Sequence, residues 1–147
     1  MYKYKQTASS NRKGQERIIS GLLGGHEDDL RIVAPFCCDY GYNIHVGNNF
    51  FANFGCTILD EAEVHIGNNV FLSPNVNIYT ASHPLDAERR NQGLEYAYPL
   101  TIGGNVAINP GISIGRNSVI GSRSVVTRDI PDYVLAAGAP CRIIRYL

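Results

Sequence analysis

A chain of 147 residues, 44% of them hydrophobic, is long enough for one domain with a substantial core. Thirteen basic residues balance thirteen acidic ones, so neither nucleic acid nor an anionic membrane is expected as the main partner, since both demand a basic surplus. Cysteines at 37, 38, 56 and 141 match neither a disulfide framework nor a C-x-x-C metal spacing. No signal peptide opens the chain and nothing approaches the ~18 apolar residues of a membrane span, so a cytoplasmic protein is expected.

Residues 1–30 read as an N-terminal helical cap. Ser10 is placed to cap a short helix whose apolar face is Ile18, Ile19, Leu22 and Leu23, ended by Gly24-Gly25. Such a helix would shield the open end of a stack of strands.

From Arg31 to Leu147 the composition changes to short apolar pairs with one residue between them. Ile44/Val46 and Val64/Ile66 begin the pattern, and Val70/Leu72 and Val76/Ile78 continue it on a six-residue beat. The beat stops for a polar loop, 79–99, that carries His83, then resumes at Leu100/Ile102, Val106/Ile108 and Ile112/Ile114, with Ile120 and Val126 in phase. Gly and Asn follow many pairs, as at Gly47-Asn48-Asn49 and Gly67-Asn68-Asn69, and these residues tolerate the left-handed backbone of a corner. No helical period fits. Each hexad is therefore one very short strand and one corner, and stacking them about 4.8 Å apart buries the alternating Ile, Val and Leu inside a coil of parallel strands. Three hexads per turn would stack residues 18 apart. The step from Val46 to Ile66 is 20, so a two-residue bulge is expected at Asp60-Glu61-Ala62-Glu63.

His45 and His65 each precede an inward residue, so both are expected to point outward as solvated histidines. Zinc needs three protein ligands and no third shares their pattern, so no metal is expected. Phe50, Phe51 and Phe54 read as packing residues and Arg89-Arg90 as a solvated patch. An extended exit strand at Val134-Leu135-Ala136-Ala137 should lead to a small basic helix or tail at Cys141-Arg142-Ile143-Ile144-Arg145.

Six motifs in order carry a resemblance. They are Cys38-Asp39-Tyr40-Gly41-Tyr42-Asn43-Ile44, Phe51-Ala52-Asn53-Phe54, Thr80-Ala81-Ser82-His83-Pro84 and Ile108-Asn109-Pro110-Gly111. Val126-Thr127-Arg128-Asp129-Ile130-Pro131 and Ala137-Gly138-Ala139-Pro140-Cys141-Arg142 complete the set. The chain resembles the hexapeptide-repeat acyltransferases, in their maltose/galactoside O-acetyltransferase branch. The resemblance implies an all-β, left-handed parallel β-helix, a homotrimer, and transfer of acetyl from acetyl-CoA to a sugar hydroxyl. By the same resemblance His83 is the general base, a role suited to an imidazole near neutral pH. Asn53 is the oxyanion stabiliser in contact with acetyl-CoA, and Asp39 and Glu61 bind the acceptor. Ser122, Thr127, Arg128, Arg142 and Arg145 bind the coenzyme, the arginines through its phosphates.

The chain departs from that pattern twice. Its N-terminus offers no equivalent of an acidic acceptor-binding residue. After Val106 it lacks six residues that in the family open Trp-Ile-Gly, and the chain contains no Trp. Losing six residues keeps the inward alternation but is expected to rotate every later unit by one face of the triangle. That rotation would displace the coenzyme surface, so a working polypeptide is expected to carry a further hexad there. The competing class is a catalytically degenerate trimeric β-helix, a binding or structural protein lacking one active-site rung.

Overall fold

The computed structural model describes residues 2–4, 12–102, 112–115, 118–120 and 124–147. Ser10, Ser122, the Ile108-Asn109-Pro110-Gly111 motif and the Val106-Ala107 junction lie outside the described residues. The architecture is a left-handed β-helix, with about five turns and two helices among the described residues. Among the described residues no helix is long and apolar enough to cross a membrane.

The coil has three faces, each a stack of parallel strands. The first holds Phe36–Cys38, Cys56–Leu59 and Asn77–Tyr79. The second holds Gly25–His26, Ile44–Val46, Val64–Ile66, Leu100–Ile102 and Ser113–Ile114. The third holds Leu30–Ile32, Phe50–Ala52 and Phe71–Leu72. The chain runs from second to third to first and back.

Inward residues at alternate positions form one core. Phe36, Ile44, Phe50, Ile58, Val64, Leu72, Ile78 and Ile102 are all 0–1% exposed. Burial of each such side chain contributes about 1.5–3 kcal/mol, the term that holds strands of two to four residues in register. Strand Tyr2–Tyr4 pairs antiparallel with Phe36–Cys38 at one end of the first face, and helix Arg12–Leu22 buries Ile19 on the same core, as Leu23 does just past its end. Ile18, expected on that buried face, is 37% exposed. The glycine after the helix answers to packing: a Cβ on Gly24 would come within 1.8 Å of the Tyr42 carbonyl oxygen.

Each early turn advances 20 residues, not 18, as in Gly25↔His45, Phe36↔Cys56, His45↔His65 and Thr57↔Asn77. Inward positions stay six apart from Val46 through Ala52 to Ile58, but step eight from Cys38 to Val46 and from Ile58 to Ile66. The bulge expected at 60–63 is therefore present, and the turn at 39–43 repeats it one coil below. Both sit at the corner from the first face to the second. The long insertion leaves from the same corner one coil above, after Asn77–Tyr79.

The expected rotation after Val106 does not occur. Thr101 pairs with Ser113 and Ile102 with Ile114, only twelve residues along, so the second face continues in register. Ile114 then bridges Ile130, and Val119–Ile120 pairs in parallel with Val134–Ala137. The coil is short by one hexad and the later units keep their faces, because pairing on the existing second-face strand satisfies its backbone groups and its inward side chains together.

The chain end is also corrected. Arg142–Tyr146 is a strand, antiparallel to Val134–Ala137, in place of a basic helix or tail. The free edge of the exit strand offers backbone partners that an isolated five-residue helix would lack.

Candidate active site

The enlarged corner gathers the polar residues. Asp60 follows strand Cys56–Leu59 and has no exposed surface. Its Oδ1 accepts N–H bonds from Asp39 and Tyr40, each 3.0 Å, and its Oδ2 accepts from Gly41 at 2.7 Å. The Asn43 side-chain amide donates to the Asp60 carbonyl at 2.8 Å. Gly41 adopts φ +85, and a Cβ there would stand 2.6 Å from the Leu22 carbonyl oxygen, so both conformation and space require glycine. One coil higher, buried Thr80 donates to the Leu59 carbonyl at 2.8 Å and accepts from the Ala62 N–H at 3.0 Å.

Asp39 and Glu61, the expected acceptor residues, meet at this corner through a side-chain hydrogen bond. Burial, and then that bond to Asp39, hold the Glu61 carboxyl above its ordinary value. The two carboxyl groups present acceptor oxygens side by side, an arrangement that can take hydrogen bonds from the hydroxyls of a ligand. Burial, helped by the charge of Asp60, pushes the neighbouring Cys38 thiol up to about 12. Cys56 and Cys141 are raised by burial as well, so none of the three is a thiolate nucleophile.

His83 stands just beyond Ala81–Ser82, which pairs antiparallel with Tyr96–Ala97 to close the inserted loop. Within the loop lies a short helix, Ala87–Asn91, N-capped by Asp86. His83 Nδ1 lies 3.2 Å from the Leu94 carbonyl oxygen, which can accept a proton held there. Nε2 lies 3.1 Å from Glu95 Oε1. Leu94 and Glu95 gave no sequence signal: they lie eleven and twelve residues from His83, inside an aperiodic loop, and only its closure brings them together.

Asn53 occupies a different corner, from the third face to the first. Its Oδ1 accepts from the Phe54 N–H at 2.8 Å. The first-face strand separates it from the His83 corner by roughly 15–20 Å, at about 3.3 Å per strand residue. Beside it Phe51 is half-buried, with the Arg31 guanidinium 5.4 Å from its ring centroid and the Phe71 ring 6.3 Å away. Phe50 is core, whereas Phe54 is 48% exposed and does not pack as expected.

Thr127 and Arg128 are exposed between the last two second- and third-face strands. Arg142 and Arg145, three apart, would project to opposite sides of a regular strand. The register shifts at this hairpin: Arg142 lies opposite Ala137 and Arg145 opposite Leu135, so Ile144 is an extra residue. Val134 and Ala136 face the core, which puts Leu135 and Ala137 outward and both arginines on that outer side. His45 and His65 stack outward on the second face with ring centroids 5.0 Å apart, and Glu63 bonds His65 at 2.9 Å. Among the described residues no group of three or more His, Cys, Asp or Glu side chains could hold a metal ion.

No protein-family model matches the chain. It is 44% identical to the galactoside O-acetyltransferase of Escherichia coli (strain K12), over 99% of this chain and 74% of that one. Among solved structures, a maltose O-acetyltransferase from Clostridium difficile 630 superposes with TM-score 0.89 at 48% identity, covering 97% of this chain and 79% of that one. A galactoside acetyltransferase in complex with coenzyme A superposes with TM-score 0.92 at 41% identity, covering 96% and 74%.

Proposed function

The chain belongs to the hexapeptide-repeat acetyltransferases of the galactoside and maltose O-acetyltransferase group, and on that footing we propose that it is a cytoplasmic homotrimer transferring acetyl from acetyl-CoA to a sugar hydroxyl. The observation that carries this reading is the enlarged corner where Asp39 and Glu61 meet, with Thr80 beside Glu61 at the start of the loop that bears His83.

A sugar hydroxyl is a poor nucleophile until its proton is removed. Its oxygen attacks the thioester carbonyl carbon as its proton passes to His83 Nε2. The imidazolium so formed lies beside the Glu95 carboxylate. Charge developing on the carbonyl oxygen is met by the Asn53 amide N–H. Collapse re-forms the C=O bond and breaks the C–S bond, and the departing thiolate of coenzyme A takes the proton back from His83. Asp39 and Glu61 accept hydrogen bonds from the other hydroxyls of the acceptor. Arg142 and Arg145, on one side of their strand, suit the coenzyme phosphates, with Thr127 and Arg128 on the same C-terminal coils.

Asn53 and His83 belong to different corners of one chain, so a complete site needs Asn53 of one protomer and His83 of its neighbour. This is the physical case for the trimer. Thiol release from acetyl-CoA is measured with maltose, glucose and galactosides, comparing wild type with His83→Ala. The expected loss is about 10²–10⁴-fold in kcat; equal rates would remove His83 from the mechanism. The competing reading draws on the missing hexad, and calorimetry with coenzyme A tests it: binding without turnover favours a degenerate enzyme, and no binding favours a scaffold.

A further inference from the structure

A buried carboxylate at a solvent-facing corner needs a reason, because desolvating it is costly unless its oxygens are fully engaged. Asp60 is engaged, and by one short segment: three consecutive backbone N–H groups, of Asp39, Tyr40 and Gly41, converge on its two oxygens. Successive amides turned toward one anion make a concave nest, and Gly41 at φ +85 permits it. Asn43 closes the same segment onto the Asp60 backbone carbonyl. The segment is the two-residue enlargement of its coil, and an enlarged corner is otherwise free to adopt many shapes. Asp39 sits at its start and Glu61 directly follows Asp60.

We propose that Asp60 is the positioning residue of the acceptor site, its buried carboxylate fixing the 39–41 turn so that the Asp39 side chain faces Glu61. The inference rests on the reading of Asp39 and Glu61 as acceptor-binding residues. Asp60 itself touches no substrate, since it has no exposed surface. Asn at position 60 has one accepting oxygen where Asp has two, so at least one of the three amides loses its partner and an amide NH₂ is turned toward an N–H. The arginines read as coenzyme-binding sit on the Arg142–Tyr146 strand, remote from this turn in the chain and, among the described residues, paired with Val134–Ala137, so damage here should fall on one substrate.

The test compares Asp60→Asn and Asn43→Ala with wild type, using full-length assembled protein. For Asp60→Asn the acceptor KM should rise about tenfold or more, while the acetyl-CoA KM stays within about twofold. For Asn43→Ala, which leaves every charge in place, the acceptor KM should rise about threefold. The two KM values rising together, or an unchanged acceptor KM in folded protein, overturns the proposal; if Asp60→Asn does not fold, Asn43→Ala decides by the same criterion. A second readout needs no turnover: ¹³C-carboxyl NMR titration of Glu61, whose raised pKa depends in part on Asp39. Asn43→Ala should move Glu61 toward its ordinary value, and no movement overturns the proposal. If wild type acetylates no sugar, the function proposed above fails while this titration still decides the role of Asp60.

Discussion

Glu95 offers a quantitative test of how the loop supports His83. Its Oε1 lies 3.1 Å from His83 Nε2, close enough to stabilise the imidazolium that the proposed mechanism forms when the acceptor loses its proton. Both side chains, however, are 55% exposed. Water screens a pair in that position, and exposed pairs contribute about 0.2–1 kcal/mol. Converted at about 1.4 kcal/mol per factor of ten, Glu95→Gln should lower kcat by about 1.4- to 5-fold, far less than loss of the base itself. The acetyl-CoA KM should not change. Steady-state thiol release at saturating acceptor measures the effect, and repeating it in about 1 M salt, where charges are screened within about 3 Å, should bring variant and wild type together. A loss of a hundredfold, or one insensitive to salt, would refute the argument, because it would require the pair to act desolvated.

The other predictions address assembly and charge. His83→Ala and Asn53→Ala proteins, each inactive alone, should recover activity when refolded together, with about a quarter of the sites in randomly mixed trimers pairing an intact His83 with an intact neighbouring Asn53; no recovery would place both residues in one chain's site. Glu61 is held above the ordinary carboxylate range, so the fold favours its protonated form: that stability is fully present below the unfolded pKa and is lost as pH rises through the folded one. Glu61→Gln, neutral throughout, should therefore gain stability relative to wild type at pH 7, with the gap closing toward pH 4 in urea denaturation. An equal difference at both pH values would count against the raised Glu61 pKa.

Much was legible in the chain because the β-helix is written as a period. An apolar pair every six residues fixes a strand, its inward face and its stacking partner, so the core positions Ile44, Val64, Leu72, Ile78 and Ile102 followed from spacing. The two-residue excess at Asp60–Glu63 was visible as a break in that period. His83 was visible as the histidine of the one long polar insertion, and Asn53, Asp39 and Glu61 through motif resemblance.

What the sequence left undecided depends on contacts with no fixed spacing. The twelve-residue return from Thr101 to Ser113 could not be foreseen from alternation, which tolerates either a rotated coil or a shortened one; backbone pairing on the strand already in place selected the second. Arg142 and Arg145 share a side only because Ile144 is accommodated as an extra residue against Val134–Ala137. Leu94 and Glu95 reach His83 through loop closure, and the Asp60 carboxylate gathers three amides from the coil below, about twenty residues earlier. Periodic burial is a local property and can be read along the chain. The pairing of a polar group across a coil or a loop is settled by where the folded backbone leaves a donor in need of an acceptor, and only the tertiary structure says where that is.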